Sequence, residues 1–232
     1  MIKFTLDYIE VDPALNWQDI NFTIKTDVTI PISTIAGINQ IVRARIDQGF
    51  TSLKVKLGAI SLAENIATMQ KIREFVGPEV SLRVDPNQAW DFTYAKDFLV
   101  ALDNLDIAID YLEQPVGKSH IDDLARLTGL GLAPIMADES LFSMRDLEEI
   151  LEKKACTWIN VKILKSGGIA AARAIADVAR ASGLNVSIGS MMEGERGVQA
   201  AAFLASAIAP GVTHDLAVVD IREPTSWPTR CC

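Results

Sequence analysis

The sequence has little cysteine, little histidine and a deficit of positive charge. Its 232 residues include three cysteines and two histidines, and two of the cysteines, Cys231 and Cys232, end the chain. Such a set excludes a disulfide framework, so a reducing, cytoplasmic location is expected. Lys and Arg number 22 against 30 Asp and Glu, a net charge of −8. Nucleic acid and anionic membranes attract clustered positive charge, so we expect neither as a partner.

Long apolar runs are also lacking. No run reaches the roughly 18–20 residues that a membrane span needs. Residues 1–17 carry several charges and lack the apolar core of a signal peptide. Hydrophobic residues nevertheless make up 49% of the chain, enough for one large core. The length suits a single α/β barrel domain.

Short apolar runs alternate with amphipathic stretches along most of the chain. Apolar residues at helical spacing predict seven helices, and the runs between them predict eight strands, from residues 26–29 to residues 212–216. Strands that alternate with helices are typical of parallel βαβ units, and eight such strands can close into a barrel. We therefore predict an α/β barrel over residues 25–221, after a short segment 1–24 and before an irregular tail 222–232.

Acidic residues recur at the carboxyl ends of three consecutive predicted strands. These are Asp85, Glu113 and Asp138, separated by 28 and 25 residues, so that each gap is one βα unit. We expect the three carboxylates to lie side by side on one rim of the barrel. Three close anions repel unless a cation joins them, and oxygen ligands favour Mg²⁺ first and Mn²⁺ second. The alternative is three unrelated acids that cap helices.

Lysines flank these acids. Lys54 and Lys56 lie two residues apart on one predicted strand and so share a face, and Lys162 ends a strand 24 residues after Asp138. A lysine that points into a barrel is costly unless it is paired or functional. A nearby divalent cation and a second lysine disfavour the ammonium form, so one lysine can act as a base near neutral pH. The alternative is ordinary lysines at strand ends.

The order and spacing of several segments resemble the muconate-lactonizing subgroup of the enolase superfamily. The segments are Lys54-Val55-Lys56, Asp85-Pro86-Asn87-Gln88, Glu113-Gln114-Pro115, Ala137-Asp138-Glu139-Ser140, Asn160-Val161-Lys162 and Gly189-Ser190-Met191-Met192-Glu193. The last one is particularly similar to the dipeptide epimerases of the L-Ala-D/L-Glu type. The resemblance extends from about residue 26 to residue 215.

The resemblance implies a (β/α)7β TIM-like barrel that abstracts a proton α to a carboxylate. Asp85, Glu113 and Asp138 would bind Mg²⁺, which would hold the substrate carboxylate and stabilise an enolate. Lys56 and Lys162 would be the two acid–base lysines.

The resemblance also gives expected roles to residues around these groups. Lys54 would tune Lys56, Asn87 and Glu139 would orient the ligands, and Glu193 would stand on the rim.

Two departures from the family pattern are visible. Family members have an α+β capping domain before the barrel, whose loops close over the substrate, and only about 25 residues precede the first predicted strand here. At the eighth strand, dipeptide epimerases have Asp-x-Asp to hold the substrate ammonium. Here the positions are Asp215-Leu216-Ala217, so one acid is an alanine.

The sequence therefore favours a racemase or epimerase acting on an amino-acid or dipeptide-like carboxylate. The open alternatives are a muconate cycloisomerase or o-succinylbenzoate synthase on the same scaffold, a barrel with little or no catalysis, and a Schiff-base aldolase. A homo-oligomer formed through surface normally under the cap is also possible. Among other polar residues, we expect structural or surface roles for His120 and His214, and a contact of Lys165 with backbone or solvent.

Overall fold

The computed structural model describes residues 24–34, 37–191 and 193–216. The predicted segment 1–24, apart from its last residue, and the predicted tail 222–232 lie outside the described residues.

The described residues alternate between short strands and helices. The strands are β1 (Lys25–Thr26), β2 (Val28–Ile30), β3 (Ser52–Lys56), β4 (Ser81–Asp85), β5 (Leu112–Glu113), β6 (Ile135–Ala137), β7 (Trp158–Lys162), β8 (Asn185–Gly189) and β9 (Thr213–His214). The helices are α1 (Ile38–Asp47), α2 (Leu62–Val76), α3 (Phe92–Asn104), α4 (Ile121–Gly129), α5 (Met144–Lys153), α6 (Ile163–Ser166), α7 (Ile169–Ala181) and α8 (Glu195–Ile208).

Strands β2 to β8 form one parallel sheet whose spatial order is the order of the chain. A separate parallel pair, β1 with β9, links its two edges. One residue, Asp27, separates β1 from β2, and Asp215, just after β9, bridges to Gly189 at the end of β8. Because all these strands run the same way, their carboxyl ends meet at one mouth. The predicted TIM-like α/β barrel is confirmed.

Local sequence signals explain where several helices begin. Ser61 and Ser143 each accept a hydrogen bond from the backbone of the third helical residue. The acid at that position, Glu64 or Asp146, accepts in return from the backbone N–H of the serine. Such capping boxes satisfy backbone donors that a helix start leaves free. The apolar faces of the helices pack on strands that are buried on both sides, so one core surrounds the barrel.

The strand prediction for residues 107–112 was wrong in extent, because only Leu112 and Glu113 form β5. Ile107 instead donates its backbone N–H to the carbonyl of Leu102, 2.9 Å away, which closes the end of α3. The Ile107 side chain is buried, so the apolar residues of this stretch reflect packing of the turn after α3 and not pairing with a neighbouring strand. The structure also has the short helix α6, which the periodicity did not predict. None of the described helices combines the length and apolar character needed to span a bilayer.

His214 ties the last strand to its neighbours. Its Nδ1 accepts a hydrogen bond from the backbone N–H of Ile188 at 3.0 Å, and its Nε2 lies 3.0 Å from the carbonyl of Ala209. The neutral imidazole with a proton on Nε2 satisfies both contacts. Burial lowers the pKa of His214 to about 4, since the charged ring would lose its hydration.

This histidine predicts a pH dependence of stability. Its folded pKa lies below the ordinary value of 6.5. The folded state therefore binds fewer protons than the unfolded state between these pH values, and stability falls as pH falls through that window. The contribution of His214 to this loss is about 2 kcal/mol between pH 7 and pH 5. Buried acids with raised pKa values, such as Glu113, change stability in the opposite direction, so the comparison with His214→Asn, which cannot titrate, isolates the histidine. Urea unfolding at both pH values should show a change that is about 2 kcal/mol less favourable in the wild type than in His214→Asn. Equal changes in the two proteins would contradict the assignment.

Candidate active site

The candidate residues lie on the inner face of the barrel at its mouth. The strand register sets Lys56 beside Asp85 and Lys162 beside Gly189. Side chains alternate between faces along a strand, so Lys54 points to the same face as Lys56. Lys54, Asp85, Glu113, Asp138, Lys162 and Asp215 are all buried. The structure thus gathers six of the predicted residues in one buried layer.

Lys54 lies at the centre of this layer. Its Nζ is 3.1 Å from Asp85 Oδ2, 2.8 Å from Glu113 Oε2 and 2.9 Å from Asp215 Oδ2. Burial disfavours the ammonium form, but Asp215, Glu113 and Asp85 outweigh it and hold the pKa of Lys54 well above its ordinary value. Lys54 is therefore a charged link from β3 to the ends of β4 and β5 and to the residue after β9.

Lys56 and Lys162 each hold a different acid. Lys56 Nζ donates to Asp85 Oδ2 at 2.6 Å and also contacts Asn87 Oδ1. Lys162 Nζ donates to Asp138 Oδ2 at 2.7 Å. The Lys56 side chain is 26% exposed and the Lys162 side chain 10%, so neither lysine is completely enclosed by the protein. Two lysines, supplied by β3 and β7, thus border one carboxylate layer.

Lys165 makes the backbone contact that its position in the sequence predicted, and it also reaches a carboxylate of the site. Its Nζ contacts the backbone carbonyl and Oδ1 of Asp138, and it lies 3.2 Å from the carbonyl of Asn160. Burial lowers the pKa of Lys165. Asp138 is therefore held between two lysines. The available signal was the three-residue step from Lys162 into α6, which turns Lys165 back toward the preceding strand.

Two amide side chains, those of Asn160 and Gln114, connect the acids. The sequence indicated both residues only as parts of family-like segments and predicted no role for either. Asn160 Nδ2 donates to Glu113 Oε1 and to Asp215 Oδ2, both at 3.0 Å. Gln114 Oε1 accepts from the backbone N–H of Asp138 at 3.0 Å. Asn160 lies two residues before Lys162 on β7, which places it on the same inner face. That spacing was the signal that could have identified it.

The remaining predicted residues occupy the rim. Asn87 donates its backbone N–H to Asp85 Oδ1 at 2.8 Å and its amide to Glu139 Oε1 at 3.1 Å. Glu193 Oε1 accepts from the backbone N–H of Met191 at 3.0 Å, and the Glu193 carboxylate lies over Gly197 at the start of α8. Glu139 therefore joins the carboxylate layer through Asn87, whereas Glu193 is folded back on its own segment.

The pKa values of Glu113 and Asp138 show that nearby positive charge is shared unequally among the buried acids. Burial raises the pKa of Glu113 to about 8, and the neighbouring Asp85, Asp138 and Asp215 carboxylates add to the rise against the effect of Lys54. Asp138 shows the opposite balance. Burial favours its neutral form, but Lys165 and Lys162 hold its pKa below the ordinary range. Ionised Glu113 thus lacks part of the positive charge it needs.

The donor chemistry suits a hard divalent cation. The layer offers carboxylate oxygens, and Glu113 Oε2 makes no well-directed hydrogen bond even though Lys54 Nζ is 2.8 Å away. Within the described ranges, however, no group of three or more Asp, Glu, His or Cys side chains is arranged to hold a metal ion. The carboxylates are turned onto ammonium groups. The donor set is thus of the right chemical kind, and a cation would have to replace lysine contacts of these carboxylates.

Several known enzymes are similar to this chain in sequence and in fold. The chain is 36% identical over 184 residues to the L-Ala-D/L-Glu epimerase of Bacillus subtilis, covering 79% of this chain and 50% of that enzyme. It is 32% identical to the chloromuconate cycloisomerase of Cupriavidus pinatubonensis, covering 81% and 50%. A dipeptide epimerase of Enterococcus faecalis, solved with Mg and the dipeptide L-Leu-L-Tyr, superposes with a TM-score of 0.79 at 36% identity, covering 83% and 54%.

The chain thus spans about half the length of the relatives it matches. A family model described as enolase C-terminal domain-like matches residues 38–225, which include all the strands from β3 onward and the whole carboxylate layer. On this match, the chain belongs to the enolase C-terminal domain-like family.

Proposed function

We propose that this chain is the catalytic barrel of a racemase or epimerase that moves a proton at the carbon α to a carboxylate. The observation that carries the proposal is the pair Lys56 and Lys162, which border one buried carboxylate layer from β3 and β7. A reaction that inverts a carbon centre needs one group to take the proton and a second to return it on the other face.

The proposed roles follow from the contacts of each lysine. Lys56 is held by Asp85 and Asn87, and Lys162 by Asp138, so each amine starts at a fixed place on the rim. One lysine, in its neutral form, takes the α-proton, and the ammonium of the other delivers a proton to the opposite face. Lys54 stays charged among its three carboxylates, so its proposed role is to position Asp85, next to Lys56.

The metal proposed for this site is Mg²⁺, with Mn²⁺ as an alternative. Asp85, Glu113 and Asp138 would hold it, and Asn87 and Glu139 would support Asp85 through their hydrogen bonds. When bound, Mg²⁺ would supply positive charge to the substrate carboxylate and so lower the cost of removing the α-proton. The raised pKa of Glu113 supports a cation at this place, because an added positive charge favours its ionised form.

The proposed substrate is an amino-acid or dipeptide-like carboxylate, as the names of the epimerase relatives suggest. A cycloisomerase reaction is the second candidate, because a chloromuconate cycloisomerase is similar to the chain over 195 residues. Incubation in D₂O separates them, since epimerisation leaves deuterium at Cα in recovered substrate without change of skeleton. A third candidate is a barrel with little catalysis by itself, given the half-length match.

The two-base proposal predicts the effect of removing Lys162. Lys162→Ala should lower racemisation by roughly 10²–10⁴-fold, the usual contribution of a positioned acid or base. Polarimetry or chiral chromatography on a panel of dipeptides and N-acyl amino acids measures the rate. Lys153→Ala is the control, since Lys153 forms only exposed ion pairs with Asp122 and Glu149 on the outer helices. Undiminished racemisation in Lys162→Ala would contradict a two-base mechanism.

The metal proposal predicts a stabilisation by Mg²⁺ that depends on Asp138. At 100 times its dissociation constant a ligand adds about 2.7 kcal/mol of stability, which for a chain of this size is roughly 5–10 °C in Tm. Thermal unfolding with and without MgCl₂ should show this shift in the wild type and in Asp177→Asn, whose carboxylate pairs with Arg173 on the surface of α7. Asp138→Asn should lose most of the shift. An equal shift in Asp138→Asn would place the cation elsewhere.

A further inference from the structure

Gly189 stands where the two inner side chains of β7 meet β8. A Cβ built on Gly189 would lie 2.4 Å from Asn160 Oδ1 and 2.8 Å from Lys162 Cε. Both distances are shorter than van der Waals contact allows, so a side chain at this position would force Asn160 and Lys162 to move. The register explains the crowding, because Gly189 is the direct parallel neighbour of Lys162.

The backbone of Gly189 does not itself require glycine. Gly189 is the last residue of β8, and its φ is not among the positive values found at Gly49, Gly77 and other turn glycines. In an ordinary strand conformation glycine is less stabilising than residues with a side chain. The reason for glycine at this place is therefore the space it leaves.

The space beside Gly189 affects the position of Lys162 more than the stability of the fold. Lys162 Cε is near the end of a flexible side chain, so this lysine could move without unfolding the barrel. Asn160 Oδ1 has no hydrogen-bond partner in the described structure, but the Nδ2 atom of the same side chain is bonded to Glu113 and Asp215. What movement would destroy is the 2.7 Å contact of Lys162 Nζ with Asp138 Oδ2. Lys56 lies on the other flank of the layer, on β3, and its contacts with Asp85 and Asn87 do not involve Gly189.

We infer that Gly189 is a positioning residue for Lys162: the missing side chain forms the slot that fixes this lysine, and only this lysine, at the reacting carbon. The inference rests on the proposed two-base function, in which Lys56 and Lys162 serve opposite faces of the substrate. A methyl group at position 189 then disables one face and leaves the other in operation. Asn160 is displaced as well, and its Nδ2 contacts are with Glu113 and Asp215 and not with Lys56 or Lys162. Asn160→Ala removes the same two contacts and is therefore the control for this displacement.

The first test measures the position of Lys162 without any substrate. The protein is methylated with formaldehyde and dimethylamine-borane, and the rates at Lys162 and Lys56 are compared by mass spectrometry of the peptides. In Gly189→Ala the ratio of the Lys162 rate to the Lys56 rate should rise several-fold, because Lys162 leaves its contact with Asp138. Gly194→Ala is the matched control, since Gly194 has an ordinary φ of −70° and a Cβ there meets nothing within 4 Å. An unchanged or lower ratio in Gly189→Ala overturns the inference.

The second test reads the two faces separately in the intact chain with MgCl₂. Loss of α-hydrogen to D₂O is followed from each enantiomer of a substrate found in the racemisation panel. Gly189→Ala should slow exchange from one enantiomer by about 100-fold, the cost of displacing a reacting group by about 1 Å, and leave the other within a few-fold of wild type. Equal slowing of both enantiomers would show a general structural effect and overturn the inference. No exchange by the wild type, with the methylation ratio raised as expected, would refute the proposed function and keep the role of Gly189.

A Gly189→Ala chain that fails to fold is replaced by a pair of variants. Asn160→Ala removes the nearer of the two contacts, and the methylation ratio is compared between Asn160→Ala and Asn160→Ala/Gly189→Ala. The added methyl group should still raise the Lys162 ratio, since its contact with Lys162 Cε remains. Identical ratios in these two variants would overturn the inference.

Discussion

The burial of charge at the barrel mouth is the constraint on which the rest of the structure depends. Removing an ionised group from water costs several kcal/mol unless partners compensate it, and this layer buries four carboxylates and two lysines in direct contact. Lys54 compensates three of the acids at once, so the middle of β3, the ends of β4 and β5 and the residue after β9 are fixed relative to one another. The strands thereby place the lysines, and the lysines in turn keep the strand ends together.

The same compensation bears on the proposed cation. The carboxylates already face ammonium groups at the mouth, so a divalent ion would exchange one set of positive partners for another. Asp138 illustrates this exchange, because Lys165 binds its Oδ1 and its backbone while Lys162 binds its Oδ2. Lys165 can keep the acid in place when Lys162 is engaged elsewhere.

The sequence predicted the barrel and the buried layer well, because both depend on spacing. Acids and lysines that end consecutive strands must share a mouth once the strands are parallel. This reasoning predicted a common place for Asp85, Glu113, Asp138 and Lys162, and the structure buries all four at the mouth. It failed where contacts depend on local geometry. Ile107 follows the apolar pattern of a strand but closes a helix, and Lys165 turns back onto Asp138 only because a single helical turn follows β7. The space beside Lys162 could not be predicted from the sequence, because it depends on the distance between β7 and Gly189 on β8.

The pairing of β1 with β9 has a consequence for how the chain reaches this state. Thr26 accepts the backbone N–H of Leu216 across 190 positions of the sequence, and Lys54 meets Asp215 across 161. Contacts between such distant residues are made late and slowly, since the loop entropy is lost before the contact is gained. Sheet β2 to β8 can assemble from neighbours in sequence, but Lys54 lacks its third carboxylate until the ring closes. The candidate active site therefore has its full set of charges only when β1 and β9 are paired, and separation of these two strands would leave Lys54 without one of its three carboxylates.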